Sequence, residues 1–326
     1  MKFIVIVLSS FALVILADRI SKQCEVEDGT RVICQCIGDE EFLLPEGYNY
    51  ENVTSLEVSS CTTANLHFSS MVEATKIQEI IVRNISGTLT FELFLRAEKI
   101  RTLNLTDIHL IPSIKSYAFI KIGEFEVFHI GNTHIGNFEG QFTGTNVVNF
   151  SLVNVTIGHI DRITFPGKGI NLKIADSEFQ NVSDTLNFVF FSEVIVTGSK
   201  FALNKPANLL IKGGSVHVVN NVFLNASTNL VASENILVTG NCADGKSSLR
   251  ISSDRVVSLN NRLPTEIIYT GGRKHFSSDG FLNRNNTVCI AANCKCPKSN
   301  NQDNLQVSIQ RIIFHAGLVI ILWAFP

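Results

Sequence analysis

The chain has 326 residues, with 27 Lys and Arg against 29 Asp and Glu; a formal net charge of −2 excludes the basic surplus of a dedicated nucleic-acid binder. Charged residues make up only 17%, below the roughly 25% of ordinary soluble domains, while hydrophobic residues reach 45% and include 23 Phe. This much apolar material supplies a sizeable core and excludes global disorder.

The first segment, residues 1–17, reads as a secretory signal peptide: Met1-Lys2, an apolar and small run over 3–17, then Asp18-Arg19. Ala17 suits the position before cleavage. Residues 18–50 form an N-terminal Cys-rich cap. Of eight cysteines, Cys24, Cys34, Cys36 and Cys61 open the mature chain, and Cys242, Cys289, Cys294 and Cys296 lie towards its end. In an exported chain this distribution predicts two disulfide clusters closing the two ends of one long body. Each set of four allows three connectivities, and the sequence does not choose among them. The spacings Cys34-x-Cys36 and Cys294-x-Cys296 are too tight for ordinary zinc ligation, so neither a metal nor another cofactor is expected.

Residues 51–272 carry an internal repeat. An apolar residue, any residue, a second apolar residue, any residue and a turn-prone residue recur as Leu56-x-Val58-x-Ser60, Ile80-x-Val82-x-Asn84, Leu103-x-Leu105-x-Asp107, Phe128-x-Ile130-x-Asn132 and Phe150-x-Leu152-x-Asn154. The series continues through Leu172-x-Ile174-x-Asp176, Val194-x-Val196-x-Gly198, Val216-x-Val218-x-Asn220 and Ile236-x-Val238-x-Gly240 to Val257-x-Leu259-x-Asn261. Another apolar residue follows each turn at Leu110, Ile135, Ile157, Phe179, Phe201 and Phe223. Alternation puts both apolar side chains of a stretch on one face of a strand, and Asn, Asp or Gly tolerates the turn after it. One such coil cannot bury its own face, so coils must stack. The expected fold is all-β: a parallel β-solenoid of about ten coils of ~22 residues, roughly 45–50 Å long at ~4.8 Å per strand, with cysteine clusters capping edges that would otherwise aggregate.

Two kinds of solenoid fit. The first half resembles leucine-rich repeats: Phe125-x-x-Phe128-x-Ile130 and Val147-x-x-Phe150-x-Leu152 follow that family's opening, and Ile157, Ile160 and Phe165 its convex side. Cys34-x-Cys36, Leu44-Pro45 and Val53-Thr54-x-Leu56 look like the cysteine cap that precedes such repeats. The family's Asn-ladder position, however, holds Cys61, Ile85, Ile108, Thr133 and Val155, and the last four cysteines do not match its C-terminal cap. The second half resembles a right-handed parallel β-helix of the pectin-lyase-like kind. It carries phrases such as Ile236-Leu237-Val238-Thr239-Gly240-Asn241 and second strands at Asn208-Leu209-Leu210-Ile211, Asn229-Leu230-Val231, Ser248-Leu249-Arg250-Ile251 and Glu266-Ile267-Ile268-Tyr269. Period-two patterning there favours the β-helix.

The resemblance to pectin-lyase-like proteins raises an enzyme reading, which needs carboxylates converging on one outward strand face. The outward position between the two core residues reads Glu57, Ile81, Asn104, His129, Ser151, Lys173, Ile195, His217, Leu237 and Ser258, and the next reads Ser59, Arg83, Thr106, Gly131, Val153, Ala175, Thr197, Val219, Thr239 and Asn260. Neither column gathers acids. Asp161-Arg162 and Asp176-x-Glu178 fall at turns, and His109 and His134, in successive coils, read as exposed polar side chains. No catalytic residue is therefore expected. Eight sequons mark candidate glycosylation sites at Asn52, Asn84, Asn104, Asn149, Asn154, Asn181, Asn225 and Asn285. The late outward positions carry no sequon and are unusually apolar, so Ile195, Val219 and Leu237 mark the face on which a partner would dock.

Residues 273–301 form a C-terminal Cys-rich cap. Beyond them, 302–326 combine a polar spacer with a terminal apolar run over 312–326, too short at about 22 Å for the hydrocarbon core. Small residues Ser299, Asn300 and Asn301, then a spacer, then an apolar tail form the pattern of GPI attachment, whose tail is removed; a short membrane-spanning tail and a buried terminal strand are the other readings. The sequence thus predicts a glycosylated protein on the extracellular face of the plasma membrane, held by a lipid anchor. Its expected role is recognition or adhesion towards an extracellular protein or glycan, without catalysis and without nucleic acid. A carbohydrate-active β-helix enzyme and a structural matrix component are the alternatives.

Overall fold

The computed structural model describes residues 18–19, 21, 23–37, 41–67, 71, 73–92, 96–183, 185–270, 281–289 and 296. The signal-peptide segment, the terminal apolar run and the attachment candidates Ser299, Asn300 and Asn301 lie outside them. The chain divides into residues 1–294, which hold the fold, and 295–326.

The protein is an all-β parallel solenoid of about 11 turns of ~22 residues. Its main ladder stacks Arg31–Gln35, Ser55–Ser59, Glu79–Glu92, Ala97–Ile114, Ile122–Phe138 and Asn146–Ile160 in parallel register. It continues through Gly169–Ala175, Thr185–Thr197, Lys200–Val219, Val222–Thr239 and Val256–Leu259 to Phe281–Arg284. The first nine stretches read from the sequence align in one column, each with its two apolar side chains inside. The ladder also extends past the sequence repeat at both ends. Val32 and Cys34 sit in register with Leu56 and Val58, and Phe281 with Val256.

The tenth stretch is shifted by one residue from the sequence reading. Ile236 pairs with Val256 and Val238 with Ser258, so Val256 and Ser258 point inward and Val257 and Leu259 outward. A slip of one residue exchanges the two faces of a strand. The post-turn residue of the third coil also differs: Ile111, not Leu110, pairs with Ile135 and is buried. The same irregularity puts His109 one residue out of step with His134.

The turns have one cause. Ser60, Asn84, Asp107, Asn132, Asn154, Asp176, Gly198, Asn220, Gly240, Asn260 and Asn285 all have φ between 48° and 67°. Left-handed backbone is cheap for Gly and tolerable for Asn and Asp, which explains the turn-prone slot of the repeat. At Gly240 a Cβ would also strike the side chain of Asn220 in the preceding turn.

The residue after each left-handed corner points into the stack. That column runs Cys61, Ile85, Ile108, Thr133 and Val155, then turns polar as Ser177, Ser199, Asn221, Asn241, Asn261 and Asn286. The Asn ladder missing from the first coils is therefore present in the later ones. From Val155 onward each backbone N–H donates to the side chain of the next turn: Val155 to Ser177 Oγ at 3.1 Å, Ser177 to Ser199 Oγ at 3.1 Å, and Ser199 to Asn221 Oδ1 at 2.9 Å. Asn221, Asn241 and Asn261 continue to the following Oδ1 at 2.9, 3.0 and 2.9 Å. Buried backbone donors need such partners, and the corner has broken the regular strand pairing that would supply them.

Aromatic rings fill the rest of the interior. Phe179, Phe201 and Phe223 stack at 4.8 and 5.5 Å between centroids, and Phe119, Phe142 and Phe165 at 5.4 and 5.2 Å. One inward position is poorly matched. Thr228 is buried between Leu209 and Leu249 of the adjacent turns, and its Oγ1 has no hydrogen-bond partner. Thr228→Val keeps the shape and removes the stranded hydroxyl, so it should stabilise the fold by about 1 kcal/mol; an unchanged or lowered urea midpoint would contradict this.

At the first edge, Cys24–Glu27 pairs antiparallel with Arg31–Gln35 and is itself paired by Asp18–Arg19. Disulfide Cys24–Cys34 joins the two strands of this hairpin, and Cys36–Cys61 ties it to the next turn of the stack. Cys242, Cys289 and Cys296 are also disulfide-bonded, while Cys294 lies outside the described residues. These bonds fit an oxidising, extracellular setting.

Candidate partner-binding face

The outward side chains of the main ladder form three columns, because every strand keeps its register with the next. The central column runs Ile33, Glu57, Ile81, Asn104, His129, Ser151, Lys173, Ile195, His217, Leu237, Val257 and Leu282. The column beside the corner ends Thr197, Val219, Thr239, Leu259 and Arg284. Ser258 and Asn260 do not belong to these columns. Ser258 is fully buried, and Asn260 is the left-handed corner.

The early coils present a charged and neutralised face. Glu57, only 9% exposed, bridges Arg31 at 3.0 Å and Arg83 at 2.6 Å across three stacked strands. Lys99 meets Glu126 at 2.9 Å and Glu124 at 3.4 Å, and these hydrogen bonds push its ammonium pKa up. Such exposed pairs add little stability. His129 lies between Asn104 and Ser151; burial, and then the Lys173 charge, lowers its pKa, so it stays neutral at physiological pH.

The late coils are different. Ile195, Val219 and Leu237 are outward and partly exposed, as the sequence reading expects, and the shifted register adds Val257, Leu259 and Leu282 to the same surface. Asn171, Glu193, Ser215 and Asn235 form the third, polar column along one side. The corner residues border the other. An apolar centre with a polar rim is how a protein-binding surface is built.

Other sequence candidates are taken up in structural roles. Glu178 is paired with Lys200 at 2.8 Å, and Asp176 is a corner residue. Asp161 Oδ1 and Ser183 Oγ both approach His159 Nε2, at 3.1 and 3.2 Å. A nucleophile relay needs the acid and the hydroxyl on opposite ring nitrogens, so this cluster fastens adjacent turns and activates nothing. Among the described residues no group of three His, Cys, Asp or Glu is placed to hold a metal ion, and no helix is long and apolar enough to cross a membrane. Comparison of the chain with protein-family models, with curated proteins and with solved structures gives no match.

Proposed function

We propose that the chain is an exported recognition protein that binds an extracellular protein through the outward face of its late coils and performs no catalysis. The observation that carries this reading is the register-aligned, mainly apolar surface of Ile195, Val219, Leu237, Val257, Leu259 and Leu282, two columns wide and bordered by polar side chains. A flat sheet face of this kind suits a protein partner better than a sugar, which needs a groove lined with hydroxyl-binding groups. The disulfides support export. GPI attachment at Ser299, Asn300 or Asn301 would hold the solenoid at the cell surface and concentrate it there.

The solenoid type belongs to the same proposal. In the late turns three parallel ladders follow one another, as at Phe201–Phe223, Ile211–Leu230 and Val216–Ile236. Strands in all three positions favour a parallel β-helix over the leucine-rich type, whose convex side is not built from a third strand.

The test uses the secreted chain against an array of extracellular proteins and a glycan array. Ile195→Asp with Leu237→Asp should cut binding to the protein ligand found there at least tenfold while the far-UV spectrum stays unchanged. Undiminished binding by the folded double variant would overturn the face assignment, a hit confined to glycans would move the partner class, and turnover of polyuronides would replace recognition by catalysis. Phosphatidylinositol-specific phospholipase C should release the protein from cells; retention would remove the lipid anchor from the proposal.

A further inference from the structure

The eight sequons separate into two groups by what their side chains do in the fold. Asn52, Asn84, Asn154 and Asn285 are exposed, and Asn104, Asn149, Asn181 and Asn225 are partly buried. Three of the second group, Asn149, Asn181 and Asn225, use their amides in hydrogen bonds between turns. Asn181 Nδ2 donates to the Gly158 carbonyl at 2.6 Å and Asn225 Nδ2 to the Leu203 carbonyl at 2.7 Å, each sealing one turn against the one before it. Asn149 uses both ends: Nδ2 donates to the Glu126 carbonyl and Oδ1 accepts from Asn171 Nδ2, both at 2.9 Å. Asn104 lies in the central column between Ile81 and His129, with its Oδ1 shut away from solvent.

The exposed group has different surroundings. Asn84, Asn154 and Asn285 are all left-handed corner residues, with φ of 55°, 54° and 55°. They share one edge of the stack, where the chain turns and the side chain leaves the surface. Asn154 Nδ2 donates to Asn132 Oδ1 at 3.0 Å on that exposed rim, and a glycosylated amide keeps the one N–H that this bond requires. Asn52 is held through its oxygen, which accepts from Lys76 Nζ at 2.7 Å.

An N-linked sugar replaces one amide hydrogen and needs open volume around Nδ2. A chain glycosylated at Asn181 or Asn225 could not seat that nitrogen against the neighbouring turn without burying polar sugar, and buried polar groups without partners are costly. We propose that N-linked glycans sit at Asn52, Asn84, Asn154 and Asn285, and that the partly buried Asn104, Asn149, Asn181 and Asn225 stay bare. This rests on the export reading. It also deepens it: Asn154 and Asn285 lie six strands apart along the corner, roughly 29 Å at ~4.8 Å per strand, and the apolar late-coil face lies on the strands between them, framed by sugar and left uncovered.

The experiment expresses the full chain in a secreting eukaryotic cell and maps glycans by peptide mass after enzymatic deglycosylation in heavy-oxygen water. Four occupied sites at the exposed residues are expected. Removing the third sequon residue while keeping the asparagine separates the two groups: Ser86→Ala and Thr287→Ala should each reduce the mass by one glycan, and Ser183→Ala and Ser227→Ala by none. Substantial occupancy at Asn181 or Asn225, or a bare Asn84 or Asn285 on secreted protein, would overturn the sorting and leave export standing. A chain without any glycan would overturn both.

Discussion

Asn241→Leu should destabilise the solenoid by about 4 kcal/mol, read from urea unfolding followed by circular dichroism. Asn241 is 1% exposed, and its side chain bonds to the preceding turn, to its own turn at the Thr239 carbonyl and to the following turn at Asn261 Oδ1. Its Oδ1 accepts from the Asn221 backbone N–H at 2.9 Å and from Asn221 Nδ2 at 3.1 Å, and its Nδ2 donates to the Val218 carbonyl at 2.8 Å. Leucine leaves each of these buried groups unmet, at about 1–3 kcal/mol apiece. The control is Asn241→Ser. The same column holds Ser177 and Ser199, whose hydroxyls accept from the preceding backbone N–H, so serine should cost less than half as much. A leucine variant within about 1 kcal/mol of wild type would show that the ladder adds nothing beyond its shape.

Phe201→Ala should cost a similar amount, about 4 kcal/mol, for a different reason. Phe201 is fully buried and stacked between Phe179 at 4.8 Å and Phe223 at 5.5 Å. Removing a buried ring loses its transfer free energy and leaves a cavity whose cost depends on how far the walls can relax. Here they can relax little, because the strands on either side are fixed by backbone pairing, Glu178 to Lys200 and Lys200 to Val222. Phe201→Leu should retain most of the stability, since leucine already follows the corner in the turn at Leu263. A loss below about 1.5 kcal/mol on alanine substitution would mean that the stack closes around the gap.

Much of this architecture was legible in the sequence, because alternation and a turn-prone residue are local signals repeated nine times in phase. Where the reading failed, one physical term had displaced another. At Val256-Val257-Ser258-Leu259 two alternations compete, and the apolar rule picks the wrong one. The inward slot is taken by Ser258, whose Oγ accepts from Asn286 Nδ2 at 3.0 Å, so the interior there is polar by design of the ladder. The strand Phe281–Arg284 escaped notice for the same reason, with Asn283 opposite Ser258. At the other end Val32-x-Cys34 hid a strand behind its cysteines. The ladder left a sign in the doublets Asn220-Asn221, Asn260-Asn261 and Asn285-Asn286. The first Asn of each pair makes the corner and the second turns inward, a distinction lost when Asn261 is read as the turn residue. The apolar face was found only in part, since its extension to Val257, Leu259 and Leu282 depends on pairing that no local pattern encodes.

From Val155 onward the backbone N–H groups of the corner column all donate in one direction, each to the side chain of the following turn. Each of these corner N–H groups is consequently answered by a residue 20–25 positions later in the chain. For a polypeptide emerging amino end first, each newly wound layer of this part of the stack supplies the acceptor that the corner N–H of the previous one lacked.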